Sequence, residues 1–269
     1  MGSCGQQAAK KQAETAAETP VLMTMALSTI GEWTGTNWNG TILLQSRHFT
    51  LNGKGTAVIN WGDGTPNDTI TLEGDGYYGN LCVHDYTDSV SYDITVTGEH
   101  VTFLDCNNRG RKNFTSLDVS KNTALTELNC GSNQLTVLDV SKNTALTRLD
   151  CCRNQLTTLD ISNNTALTYL ECHTNQLTVL DVRNNSALTD LICFNNRLTD
   201  LDMSNNMELK HLSCHFNHLT TEALDETFTT LNDNMDMDSD EKRIYIGGNP
   251  GTDFCNWKIA ASKGWTVYK

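Results

Sequence analysis

LTELNCGSNQL (residues 125–135), LTRLDCCRNQL (146–156), LTYLECHTNQL (167–177), LTDLICFNNRL (188–198) and LKHLSCHFNHL (209–219) are five copies of one pattern, set 21 residues apart. Each reads L-x-x-L-x-C-x-x-N-x-L, so Cys130, Cys151, Cys172, Cys193 and Cys214 recur in phase. A degenerate sixth copy begins at Val101 (VTFLDCNN), with three extra residues before Phe114 and Leu117. A fixed period of this length is the mark of stacked coils. Within a copy, Leu128 and Cys130 alternate with Glu127, Asn129 and Gly131. The two-residue period of an extended chain puts the first pair inside and the other three outside. Coils stacked about 4.8 Å apart turn each inward position into a ladder of like residues.

Asn133, Asn154, Asn175, Asn196 and Asn217 fall where the chain must turn after the strand. An inward-facing amide there satisfies backbone groups that the bend leaves unpaired. Between the copies lies a second near-repeat, LDVSKNTAL or a variant of it, starting at Leu117, Leu138, Leu159, Leu180 and Leu201. One coil cannot bury its own apolar face, so the array needs caps at both ends.

The pattern matches the leucine-rich-repeat signature with Cys at its third apolar position, and it resembles the nested 21-residue bacterial repeats called the IRREKO type. That resemblance spans roughly residues 101 to 220 and implies a β-strand on both sides of each coil. The fold expected is mainly β: a leucine-rich-repeat parallel β-solenoid with an N-terminal β-sandwich domain and a C-terminal α/β cap.

Residues 1–20 are rich in Ala, Gln, Glu, Lys and Thr and read as a flexible tether. Residues 21–100 carry no 21-residue period but show strand-like runs at Val21 to Ser28, Thr41 to Gln45, Thr56 to Trp61, Thr69 to Glu73, Leu81 to Tyr86 and Asp93 to Thr97. NGKG, GDGTPND and EGDG separate some of these runs as turns. Trp61, Gly62, Asp63, Gly64, His84 and Tyr86 carry a resemblance to immunoglobulin-like domains of the polycystic-kidney-disease type, and structural roles are expected for Asp63 and His84. The solenoid is assigned to 101–219 and the cap to 220–269. Within the cap, Thr220 or Thr221 caps a helix that presents Leu224, Phe228 and Leu231 on one face. RIYIGG reads as a strand, TDFCNWKIAASKG as a helix stopped by Gly264, and WTVYK as a last strand. The module is expected to cover the open edge of the solenoid.

A formal charge of −13 repels phosphate backbones and anionic lipid, so nucleic acid is a poor partner. No stretch of eighteen apolar residues occurs. Membrane attachment is expected only through a lipid anchor at Cys4, because Gly2-Ser3-Cys4 resembles the end of a bacterial lipobox. The ladder cysteines read as inert core thiols, since free Cys packs as a small hydrophobe. Cys152 follows a ladder Cys and is expected to face out as a reactive-thiol candidate. His173 and His215 share an outward column two coils apart, too far for one zinc ion. An acidic loop at 233–241, with Asp233, Asp236, Asp238 and Asp240, departs from the calcium-loop pattern at Glu241 and Gly247. No metal site, no cofactor and no catalytic residue is assigned. None of the G-x-S-x-G, H-E-x-x-H or P-loop patterns occurs.

Function must then sit where the coils differ. The outward columns read Glu127, Arg148, Tyr169, Asp190, His211; then Asn129, Asp150, Glu171, Ile192, Ser213; then Gly131, Cys152, His173, Phe194, His215. Arg148, Tyr169, Glu171, His173, Asp190, Ile192, Phe194, His211, His215 and Phe216 are the candidate binding residues, with the aromatic members forming an exposed patch. The whole resembles bacterial cell-surface leucine-rich-repeat lipoproteins of gut anaerobes, which end in a module matched here by Gly248 to Gly251, Cys255, Ala260, Gly264, Trp265 and Val267. That resemblance implies an anchored, extracytoplasmic protein of the cell surface or outer membrane. It also implies a protein partner or, as the alternative, a glycan. A monomer is expected.

Overall fold

A computed structural model describes residues 21–27, 45–74, 79–86, 90–107, 114–233 and 242–269. The tether at 1–20, Cys4 and all of the acidic loop except Asp233 lie outside those residues, as does most of the strand expected at Thr41 to Gln45.

Six strands come first: β1 (Val21–Leu27), β2 (Gln45–Asn60), β3 (Asp68–Gly74), β4 (Asn80–Tyr86), β5 (Asp93–Asp105) and β6 (Phe114–Asp118). The stretch NGKG, expected as a turn, lies inside β2. It forms an irregularity there: the pairing of β2 with β5 shifts register between Asn52 and Gly53 and again between Lys54 and Ala57. The glycine does what glycine does in a strand interior, bending it at a bulge. Gly53 sits at φ +148°, and a Cβ there would overlap the carbonyl of His100. The bend lets the first part of β2 pair with β4 and the second part with β3.

The residues expected to be structural interlock. The His84 ring stacks on Trp61 at 4.8 Å, and Tyr86 donates its hydroxyl to the Trp61 carbonyl at 2.7 Å. Trp61 Nε1 donates to Asp68 at 2.8 Å, and His84 Nε2 lies 2.7 Å from Asp63 Oδ2. Desolvation alone would raise the Asp63 carboxyl, but hydrogen bonds from Thr65 and His84 outweigh it and hold the group at about 2.

The boundary expected at residue 100 falls inside β5. The strand runs antiparallel to β2 from near Asp93 to Asp105, with β1 on the other side of its first half, and on that other side Phe103 to Asp105 open the parallel ladder against β7 (Glu127–Asn129). The ladder continues in register through β8 (Arg148–Asp150), β9 (Tyr169–Glu171), β10 (Asp190–Ile192) and β11 (His211–Ser213). Leu128, Leu149, Leu170, Leu191 and Leu212 stack inside with Cys106 and the five ladder cysteines, all of them buried. Burial pushes the thiols up, Cys214 to about 12 and Cys130, Cys172 and Cys193 well above the ordinary value. All nine cysteines of the described residues are free thiols.

The second near-repeat is not a second row of strands. Among the described residues only β6 is a strand on that side, and it pairs with β1 rather than with the next coil. Further along, neighbouring coils meet there through single backbone bonds such as Gln155 N to the Leu135 carbonyl, 2.9 Å. The reason is the asparagines. At the first bend, Asn154 Nδ2 donates to the carbonyls of Cys151, Cys152 and Cys130 at 3.0 to 3.2 Å, and its Oδ1 accepts from Leu135 N at 3.0 Å. A second ladder, unforeseen from sequence, runs through the N-T-A loop: Asn164 Nδ2 donates to the carbonyls of Val140 and Asn143 at 3.0 and 2.9 Å. The residue before each ladder asparagine, from Ser132 to Phe216, is left-handed at φ between 51° and 58°. Only Asn195 is of the type that favours this region.

The C-terminal cap imitates a coil. After α1 (Thr221–Thr230), capped by the Thr220 side chain, come β12 (Arg243–Tyr245), α2 (Lys258–Ser262) and β13 (Thr266–Tyr268). The strands β12 and β13 extend the parallel ladder. Asn249 takes the next place in the first asparagine ladder, its Nδ2 donating to Cys214 and Ile246 carbonyls. Asn232 does the same for the second, donating to the carbonyls of Asn206 and Leu209. The cap therefore prolongs the sheet, with Thr266 and Tyr268 exposed on its last strand, while α1 buries Leu224 and Phe228 in the core and Thr227 donates to the Leu201 carbonyl. The second helix is shorter than expected, and Gly264 ends its turn at φ +80°.

Asn154→Ala should cost about 3 kcal/mol in a guanidinium chloride titration, because three buried carbonyls and an amide lose their partner together. Asn163→Ala, at an exposed position, should stay within about 0.5 kcal/mol.

Candidate functional site

Short strands with in-register pairing put each outward column on a straight line, so residues 21 apart are lateral neighbours. In the first column the Arg148 guanidinium lies 3.6 Å above the Tyr169 ring, a cation–π contact. Further along, Asp190 Oδ1 is 3.6 Å from His211 Nδ1 and Oδ2 accepts from Thr189 at 2.7 Å. The nearby His211 imidazole, set against burial, holds the Asp190 carboxyl below the ordinary carboxylate range.

Glu171 sits at the crossing of the columns. Tyr169 donates its hydroxyl to Glu171 Oε2 at 2.6 Å, and His173 Nε2 is 3.0 Å from Oε1. Hydrogen bonding to His173 is the main cause that keeps the Glu171 carboxyl low, against its burial. Burial, reinforced by Glu171, raises the Tyr169 phenol. Asp150, one coil back, is raised by desolvation, and its Oδ1 accepts from the Cys152 amide at 3.0 Å.

The third column is closed. The His173 ring stacks on Phe194 at 4.1 Å, and Phe194 stacks on His215 at 4.3 Å, with interplanar angles of 9° and 12°. Both faces of the Phe194 ring are thereby covered. His173 is only 6 % exposed and Cys152 5 %, so the exposed aromatic patch is corrected to a self-packed stack that leaves Phe216, at 59 %, as its open member. Coil spacing near the thickness of an aromatic ring is what closes it. The outward, reactive Cys152 is corrected as well, since burial and then Asp150 push its thiol up. Desolvation lowers His215. Ile192 is half-buried beside Glu171 in the second column.

Two residues belong to this face that sequence reasoning missed. Tyr245 and Tyr268 follow Ser213 in the second column and stack on each other at 4.6 Å, with His211 edge-on to Tyr245. The signal was there: IYIGGN at 244–249 matches L-x-C-x-x-N with Ile in place of Leu and Cys.

These features define a leucine-rich-repeat solenoid whose unlike residues are gathered on its strand face. A family model described as the LVIVD repeat matches residues 151–174, about one coil. Among solved structures, the chain is similar to the functional domain of InlJ from Listeria monocytogenes, described as including a cysteine ladder, at 29 % identity over 60 % of this chain and 47 % of that one, TM-score 0.31. It is similar to a leucine-rich-repeat protein of Leptospira interrogans at 21 % identity, 56 % and 44 % coverage and TM-score 0.43. An internalin from Listeria monocytogenes is 20 % identical, with 56 % and 49 % coverage and TM-score 0.41. The chain spans about half the length of each of these structures. No curated protein matches.

Phe194→Ala should lower unfolding free energy by about 2 kcal/mol, because it opens a gap between two stacked imidazoles. A loss under about 0.5 kcal/mol on the same denaturation curve would mean that the ring is solvated.

Proposed function

We propose that this chain is a non-catalytic leucine-rich-repeat protein of a bacterial cell surface that binds a protein partner through the outward strand face between Arg148 and His211. The observation that carries the reading is the division of labour within each coil. Framework positions repeat almost unchanged from one coil to the next, whereas neighbouring outward positions carry Arg, Tyr, Asp and His. Charged groups held in defined places by their neighbours suit recognition of a complementary surface.

The alternative, a carbohydrate-binding accessory protein, asks for an aromatic ring with a free face. Phe194 is sandwiched and Tyr169 lies under Arg148, which leaves Phe216 as the open ring beside the charged columns and favours the protein reading. Display through a lipid on Cys4, with the chain as a monomer, belongs to the same proposal and rests on the Gly2-Ser3-Cys4 sequence.

The test is affinity capture from envelope and host-cell extracts, followed by titration of the recovered protein. Arg148→Glu with Phe216→Asn should weaken binding about tenfold or more, since central side chains dominate such interfaces. Asn is chosen because it tolerates the left-handed backbone at 216. Val137→Ser with Val179→Ser, both exposed on the other side of the coil, should leave binding intact. Equal binding by both variants rejects the strand face. Binding on a glycan array, lost with the same strand-face variant, would favour the alternative.

A further inference from the structure

We infer that Cys152, Glu171 and His173 form a divalent-cation site on the strand face, with zinc as the ion their chemistry selects. Sequence reasoning paired His173 with His215 and rejected that pair for distance. The neighbours of His173 that matter are Glu171, two residues back on the same coil, and Cys152, its lateral neighbour one coil earlier. One coil supplies D-x-C (Asp150, Cys152) and the next supplies E-x-H (Glu171, His173), so alternation along the strand and register between strands bring the four side chains into one patch. The Cys152 Sγ, a Glu171 carboxylate oxygen and a His173 ring nitrogen all lie within 4.8 Å of one another.

A tetrahedral zinc ion with the usual bond lengths holds its ligand atoms about 3.3 to 3.7 Å apart. His173 Nε2 and Glu171 Oε1 are already at 3.0 Å, so small side-chain rotations convert the present arrangement into a coordination sphere. Thiolate, imidazole and carboxylate together form a donor set that suits zinc and is poor for calcium or magnesium, which want oxygen alone.

The surroundings have the form of an outer shell. His173 Nδ1 is 2.8 Å from Thr174 Oγ1, so a proton on Nδ1 donated to that hydroxyl leaves the Nε2 lone pair for the ion. Tyr169 holds the other Glu171 oxygen, and Arg148 in turn covers Tyr169. Phe194 shields one face of the His173 ring. On the far side residue 131 is glycine, and a Cβ there would come within 3.0 Å of Cys152 Sγ and 3.1 Å of Asp150 Oδ1. Binding breaks the His173 Nε2–Glu171 Oε1 hydrogen bond, and the imidazole proton passes from Nε2 to Nδ1 through solvent; the ion then bonds to Sγ, Oε1 and Nε2, the thiol proton is released to solvent and the fourth position is left to water. The site stands independently of the partner-binding reading, since an ion can bind whether or not a protein does.

The experiment titrates the reduced, metal-stripped full chain with Co2+ and then displaces it with Zn2+, followed by absorption. One equivalent should give the strong visible bands of tetrahedral cobalt together with a thiolate-to-cobalt charge-transfer band, both erased by zinc. Cys152→Ser should remove the charge-transfer band, and His173→Gln and Glu171→Gln should each weaken affinity about tenfold or more. His218→Gln, an exposed histidine outside this patch, should bind as the parent does. Circular dichroism of each variant separates lost ligation from lost folding, and Glu171→Gln, the near-isosteric change, decides if Cys152→Ser misfolds. Absence of cobalt binding by the parent, or spectra and affinity unchanged in Cys152→Ser and Glu171→Gln, overturns the proposal.

Discussion

A chain that turns back on itself every 21 residues must bury the backbone of its bends, and the asparagine amide makes that tolerable. Asn154 alone ties together carbonyls from two successive coils and an amide from the earlier one. Its counterparts repeat the arrangement, with Asn133 and Asn217 bonding in the same way at either end. Once those groups are satisfied, the interior between the bends can be wholly apolar. Leu and Cys then stack on their own kind at the spacing of a parallel sheet. The left-handed residue before each asparagine is the local cost, of order 1 kcal/mol, and four of the five are not residues that favour that region.

The same register that builds the interior organises the exterior. A column of unlike side chains on short parallel strands is a row of close neighbours, so chemistry arises between coils as well as along the chain. Arg148 and Tyr169, Glu171 and His173, and Asp190 and His211 meet as partners on or across adjacent strands. Aromatic residues placed one coil apart stack because ring thickness and strand spacing nearly match. This explains why the face is organised and largely closed rather than a loose set of exposed rings.

Much of this was legible from spacing. The period placed the ladder cysteines and leucines inside, and the bend position of Asn133 and its equivalents followed from where alternation stops. What escaped has physical reasons. A two-residue alternation distinguishes inside from outside but not exposed from stacked, so Cys152 and His173 were taken for solvent-facing. The second near-repeat looks like a strand because it too alternates, yet its partners are the Asn164-type amides rather than a neighbouring strand. IYIGGN was hidden because α1 and the segment after it break the 21-residue count. In NGKG the glycines signalled a turn when they serve a bulge, since both uses ask for the same backbone freedom.

The dry interior column is tested most directly by how the thiols react. Native, reduced protein is exposed to iodoacetamide, quenched over time and mapped by mass spectrometry against a sample unfolded in guanidinium chloride. Cys106, Cys130, Cys151, Cys172, Cys193 and Cys214 should stay unmodified in the native protein and react together once it unfolds. Prompt native alkylation of any member in the middle of that series would contradict a sealed stack of coils.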